Sequence, residues 1–347
     1  MNDPVHAGAC VCADARNHVQ SKKEKMMRAV IWNGHLVFHT DYPVPTIPRG
    51  WAKIRVKTAG ICKTDLELIK GYMGFSGVLG HEFVGTVASC EDARWVGKRV
   101  AGEINAACGQ CVFCRDGLGR HCPERLTLGI DRLNGCMADF CTLPIANLVE
   151  IPADISDDRA VFIEPVSAAC EILEQLSLNG SERIVVLGDG RLGILCAWVL
   201  STAAADVTLV GHHPEKLSIA SWNGIKTCHG SSGCNAGADV VVEATGSDAG
   251  LIEAMNLCRP RGVIVLKSTT AAPHTVNLSP IVIHELTVIG SRCGQFREGL
   301  ALLGRYPDMP LEHLITDRFP IEAAAAAFQQ AARNASIKVL MDVYRTV

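Results

Sequence analysis

Arg183-Ile184-Val185-Val186-Leu187-Gly188-Asp189-Gly190-Arg191-Leu192-Gly193 sets an apolar, β-forming run directly against three glycines spaced G-x-G-x-x-G, and the apolar stretch Ile194 to Leu200 follows at once. A buried strand, a tight turn and a helix in that order make the first unit of a dinucleotide-binding domain. The context gives weight to a glycine spacing that is weak alone. Gly188 allows the turn, Gly190 lets the backbone approach a pyrophosphate, and Gly193 lets helix and strand pack closely. Leu192 lies between them, where the helix N-terminus meets the phosphates.

Downstream, Val207 to Val210, Asp239 to Glu243 and Gly262 to Leu266 read as further strands with helical material between them. This predicts a doubly wound α/β sheet over residues 156–291. A nicotinamide dinucleotide is the expected cofactor. NAD-binding domains usually place Asp or Glu at the end of the second strand, about twenty residues past the glycines. Here Val210 runs into Gly211-His212-His213-Pro214-Glu215-Lys216. Without that acid, His212, His213 and Lys216 are free to approach a 2′-phosphate, so NADP is expected in preference to NAD. Ser268 ends a strand on the ligand-binding edge, and Arg292 follows the last strand; both are assigned to the cofactor site.

Upstream, residues 28–155 read as short alternating strands, including Arg28 to Trp32, Leu36 to Phe38, Trp51 to Lys57 and Val78 to Val87, with a loop at Gly71 to Phe75 and the turn Pro43-Val44-Pro45-Thr46-Ile47-Pro48 between them. The pattern predicts a small irregular β-barrel. Residues 292–347, with helical Ala323 to Ala327 and the alternating Ile337 to Val343, are expected to return to it. Residues 1–27, with Cys10 and Cys12, read as an extension.

Two clusters in the first half carry metal chemistry. Cys62, in Gly60-Ile61-Cys62-Lys63-Thr64-Asp65, and Gly80-His81-Glu82 supply a thiolate, an imidazole and a carboxylate, the ligand set of an open zinc site. Cys108, Cys111, Cys114 and Cys122 stand at C-x2-C-x2-C-x7-C, which can wrap one tetrahedral zinc. The lobe around them, residues 107–123, has too few apolar residues to fold without metal. Two zinc ions per chain are therefore expected.

These motifs together resemble a zinc-containing medium-chain alcohol dehydrogenase, of the branch that includes threonine and sorbitol dehydrogenases. The resemblance covers roughly residues 28 to 345 and implies a GroES-like catalytic domain joined to a Rossmann domain. It implies hydride transfer between a nicotinamide cofactor and a secondary alcohol, polyol or amino alcohol. Glu164, in Ile163-Glu164-Pro165, matches the branch's further zinc-ligand position, although the first turn of a helix also favours a carboxylate. Thr64 matches the hydroxyl that accepts the alcohol proton. Asp65 matches an orienting carboxylate, with a plain helix cap as the other reading. Many relatives carry His at the position of Glu67, so the proton's exit runs through Glu67 or elsewhere.

Composition narrows the alternatives. With 347 residues, 48% hydrophobic content and a net charge of −3, nothing asks for nucleic acid or an anionic membrane as partner. There is no run of eighteen apolar residues and no apolar leader, so a cytoplasmic address is expected. Cys136, Cys141, Cys170, Cys196 and Cys258 read as small core residues. A homo-oligomer, dimer or tetramer, is expected through Val276 to Gly290 read as apolar strand material. Two other functions remain open: reduction of an activated C=C bond, and non-catalytic sensing of redox state through bound dinucleotide.

Overall fold

Arg183–Leu187 is an interior strand of a six-stranded parallel sheet in the computed structural model, which describes residues 26–270 and 273–344. Along the chain the strands are Arg183–Leu187, Asp206–Gly211, Lys226–His229, Ala238–Glu243, Cys258–Leu266 and Thr287–Gly290. They stand side by side in the order 3-2-1-4-5-6, and every pairing is parallel. Ile184, Val185, Val186 and Leu187 are all buried, as a strand covered on both faces requires. The order reverses beside the first strand, and the ligand crevice of such a sheet opens there.

The first half and the end of the chain share a second sheet. Its order is Leu148–Glu150, Arg99–Gly102, Glu82–Cys90, Trp51–Gly60, Lys338–Asp342 and Ile315–Pro320, with Phe140–Pro144 pairing on Trp51–Gly60. The chain's last strand is thus interior: Leu340 faces Gly60 across the ladder, and Gly60 faces Glu82. The alternation expected over Ile337 to Val343 is not what the strand shows: Lys338 to Met341 are all buried, because this strand is covered on both faces. Helix Ala324–Ala331 precedes this strand, and helix Phe296–Arg305 follows the last parallel strand.

Three segments differ from the expectation. Val276 to Gly290 is not one strand: Ser279–Ile283 is a short helix and only Thr287–Gly290 pairs. Pro280 lacks the N–H a ladder needs and suits a first helical turn. Val78 to Val87 is likewise split into Gly77–Val78 and Glu82–Cys90, with His81 in the gap. Tyr72–Gly74 is a single 3-10 turn rather than an open loop. The five cysteines expected in the core are buried, whereas Cys10 and Cys12 lie outside the described residues. Among the described residues, no helix is long and apolar enough to cross a membrane.

Candidate active site

The strand Trp51–Gly60 delivers Cys62 to the floor of a cavity of about 790 Å³ between the two sheets, a size that suits a small-molecule site. Helix Lys63–Leu68 starts at once, and Asp65 in its first turn folds back to accept the Cys62 N–H at 2.8 Å. The other oxygen of Asp65 accepts the Gly80 N–H at 3.3 Å and lies 3.4 Å from His81 Nδ1. One buried carboxylate therefore caps a helix and joins the two loops that carry the candidate ligands. With Nδ1 turned toward the Asp65 carboxylate, although beyond ordinary hydrogen-bond geometry, Nε2 of His81 is left for a metal.

Ligand atoms of Cys62, His81 and Glu82 all lie within 4.8 Å of one another. Burial alone would raise the Cys62 pKa, but His81 and Arg191 bring it down to about 6, which makes a thiolate available. Glu82 is fully buried, with the ammonium of Lys338 against one oxygen and Arg191 Nη2 3.5 Å from the other. These are ion pairs rather than hydrogen bonds of ordinary geometry, so the oxygens keep lone pairs for a cation. A thiolate, an imidazole and a carboxylate with free lone pairs fit zinc.

Lys338 and Arg191 were not legible as site residues. The signal for Lys338 was a lone charge among Ile337, Val339 and Leu340, and Arg191 stood inside the glycine motif. Burial lowers the Lys338 pKa to about 8. Arg191 also donates to the Ile61 carbonyl at 2.9 Å, tying the glycine loop to the cysteine loop.

Glu164 sits in the first turn of helix Ile163–Gln175 and lines the same cavity, outside the three-residue cluster. Burial pushes its carboxyl up to about 7. Thr64 also lines the cavity, its hydroxyl 3.7 Å from the Cys62 sulfur. Glu67 lines it one helical turn further on and pairs with Lys70 at 3.1 Å and Lys63 at 4.0 Å.

In the second cluster the sulfurs of Cys108 and Cys114 are 3.9 Å apart, Cys111 and Cys114 3.4 Å, and Cys111 and Cys122 3.8 Å. A tetrahedron of Zn–S bonds has edges of about 3.8 Å. The four thiols therefore fit a closed site. Backbone N–H groups of Gln110 and Cys111 hold the Cys108 pKa at about 6.

At the other end of the cavity, Gly188, Gly190, Leu192, Gly211, His212, His213, Lys216 and Ser268 line the wall; Gly193, under the loop, does not. Asp189 is a feature the sequence did not announce. Its carboxylate accepts the N–H groups of His212 and His213, each at 2.7 Å, and lies 3.0 Å from His213 Nδ1. A Cβ at residue 211 would collide with it, so glycine there makes the room. An acid does reach the end of the second strand, from the loop rather than from the strand. Lys216 is only 6% exposed and has no acidic partner among the described residues.

Residues 48–153 match the Alcohol dehydrogenase GroES-like domain and residues 157–343 match the Glucose dehydrogenase C-terminus. The chain is 29% identical over 336 residues to an erythritol/L-threitol dehydrogenase of Mycolicibacterium smegmatis, covering 86% of this chain and 92% of that one. It is 29% identical over 325 residues to an L-threonine 3-dehydrogenase of Rhizobium etli, covering 87% and 94%. A solved alcohol dehydrogenase of Escherichia coli, complexed with NADH, superposes with a TM-score of 0.82 at 25% identity, covering 91% and 99%. The chain belongs to the zinc-containing medium-chain alcohol dehydrogenases, in the polyol and threonine dehydrogenase branch. It is an oxidoreductase of the NAD(P)-linked alcohol dehydrogenase type.

Proposed function

We propose that this chain transfers hydride between NADP, in preference to NAD, and a secondary alcohol, polyol or amino alcohol, or the matching carbonyl. The observation that carries the reading is the convergence of Cys62, His81 and Glu82 on one point of a cavity whose facing wall is the glycine loop. Zinc held by Cys62, His81 and Glu82 or Glu164 supplies, when bound, the Lewis acidity that lowers an alcohol's pKa. Asp65 fixes the His81 ring, and Arg191 with Lys338 fixes Glu82. Thr64 accepts the alcohol proton at its hydroxyl oxygen and passes its own proton on. Glu67, on the same wall, is the residue placed to carry that proton toward water.

Gly188, Gly190 and Leu192 hold the pyrophosphate at the start of helix Arg191–Ser201, and Gly193 lets that helix pack against the Gly188 carbonyl beneath them. Ser268 and Arg292 flank the nicotinamide end. Lys216 supports the choice of NADP, because its buried stem holds on the cavity wall an ammonium with no acid beside it among the described residues, which favours an added phosphate. His213 contributes less than its sequence position promised, since Asp189 already holds it. Cys108, Cys111, Cys114 and Cys122 hold the second zinc.

The relatives named above divide between neutral polyols and an amino acid, so the shared reaction does not fix the substrate. A reducing cytosol suits eight candidate metal ligands of which five are thiols. The exposed Leu278, Val282 and Ile283 beside the sheet edge suit self-association. The full cluster at Cys62 weighs against both the C=C reductase and the non-catalytic sensor. The test is turnover of an alcohol and carbonyl panel by zinc-loaded protein with NADP(H) and NAD(H) side by side, and again with His81→Ala. Turnover should disappear in the variant while dinucleotide binding survives; undiminished turnover would sink the reading.

A further inference from the structure

Besides Lys216 and Arg333, three cations that line the cavity form no ion pair among the described residues: Arg125, Lys267 and Arg292. The partners they do have are neutral. Arg125 donates to the Cys122 carbonyl at 3.1 Å, and its Nε is buried with no acceptor. Arg292 donates to the Arg120 carbonyl at 2.8 Å and lies 3.4 Å from the Asn105 side-chain oxygen. Lys267, 6% exposed, donates to the Ser291 hydroxyl at 2.9 Å and the Arg292 carbonyl at 2.8 Å. Among the described residues no carboxylate forms an ion pair with any of the three.

The chain has no shortage of acids to pair with them, since 36 Asp and Glu stand against 33 Lys and Arg. Elsewhere Arg28, Arg120, Arg159 and Arg318 each face a carboxylate. Leaving a buried cationic group without a counter-charge is unfavourable, so the buried Lys267 and the buried Nε of half-buried Arg125, with exposed Arg292 on the same cavity, point to a charge that arrives with the ligand. A guanidinium presents two parallel N–H groups to a carboxylate or a phosphate, which suits Arg125 and Arg292 to that task.

The position of the cluster says which ligand. Arg125 leads into the strand Leu126–Leu128, and Gly129 just beyond packs so tightly on the Gly80 carbonyl that a Cβ would collide with it. His81 is the next residue. Asn105, the side-chain acceptor of Arg292, pairs across the strands with Thr127. Arg125 and the neighbour of Arg292 thus share one small sheet beside the candidate zinc site, while the glycine loop and Lys216 serve the dinucleotide from the other sheet. Lys267 and Arg292 follow two strands of that other sheet, so the cluster lies where the two sheets face each other, and Arg125 is its cation on the side of the reacting molecule.

We propose that the alcohol or carbonyl substrate carries an anionic group, a carboxylate or a phosphate, bound by Arg125 and Arg292 in the field of Lys267. The reacting end of that molecule rests on the dehydrogenase reading; the anion site stands without it. The test compares kcat/KM for a four-carbon polyol, its aldonate and its terminal phosphate, in zinc-loaded wild type, Arg125→Gln and Arg125→Lys. It also measures calorimetric binding of succinate and of inorganic phosphate to the protein saturated with dinucleotide.

The expected result is a preference of roughly 10- to 100-fold for one anionic substrate over the neutral polyol. That ratio should fall toward one in Arg125→Gln, recover partly in Arg125→Lys, and lose its advantage as salt rises. The aldonate and phosphate arms distinguish the two anions. Equal use of the neutral polyol, with no succinate or phosphate binding, overturns the anion site and leaves the dehydrogenase standing. Anion binding that Arg125→Gln abolishes, with no hydride transfer to any alcohol, keeps the site and removes the dehydrogenase reading.

Discussion

The Asp65 carboxylate lies 3.4 Å from Nδ1 of His81 while its other oxygen accepts the Cys62 N–H, so one side chain sets both the ring and the loop that carry candidate ligands. Asp65→Asn keeps the shape and removes the charge that favours Nδ1–H. Zinc affinity and turnover should each fall by about 10- to 100-fold. Titration with a competing chelator reads the affinity directly, and an unchanged value would reduce Asp65 to a helix cap.

Asp189 offers a pH test. Burial alone would raise its pKa, but the N–H groups and ring of His213 and the N–H of His212 bring it below the ordinary value. A carboxyl whose folded pKa is depressed stabilises above its unfolded pKa, about 3.9, and that stabilisation is lost as pH falls through the folded value. Asp189→Asn should therefore cost about 1–3 kcal/mol at pH 7. The gap between variant and wild type should shrink steadily below pH 4 in denaturant unfolding.

Cofactor choice separates Lys216 from His213. Lys216→Ala should raise KM for NADPH about tenfold, equivalent to roughly 1.4 kcal/mol, and move KM for NADH much less. His213→Ala should change the NADPH to NADH ratio less than Lys216→Ala, because Asp189 already holds that ring. A larger effect at His213 would reverse the assignment.

Gly129 has φ +64° and no space for a Cβ beside the Gly80 carbonyl. Gly129→Ala should destabilise by about 1–3 kcal/mol. Part of the displacement should reach His81, so chelator titration should show weaker zinc binding alongside the lower unfolding midpoint.

Removal of one lobe thiol tests the second metal. Cys111→Ser should lower zinc content from two ions per chain to one and open residues 107–123 to proteolysis, since little apolar packing holds that lobe. Two ions retained in the variant would count against a structural zinc there.

Much of this was legible because it is written in local patterns. The strand, glycines and helix at Arg183 to Leu200 are contiguous, and the four lobe cysteines lie within fifteen residues. Cys62 and His81 announced themselves by residue type and motif. Partners brought in from distant parts of the chain did not. Lys338 looks like one more charge near the end, Arg191 like a variable position in a glycine motif, and Asp189 like its neighbour. Each acquires its role only when two remote strands or loops meet. The helix at Ser279–Ile283 was missed because an apolar run without clear periodicity does not distinguish helix from strand, and Pro280 was the signal that decided it.

The interior position of Lys338–Asp342 also bears on how the protein is made. Synthesis delivers Cys62, His81 and Glu82 long before the ammonium beside Glu82 and the strand beside Trp51–Gly60. Until then a buried-to-be carboxylate and an open strand edge wait in the nascent chain. A stop codon that removed Lys338–Asp342 would therefore strike an interior strand of the sheet that carries Glu82.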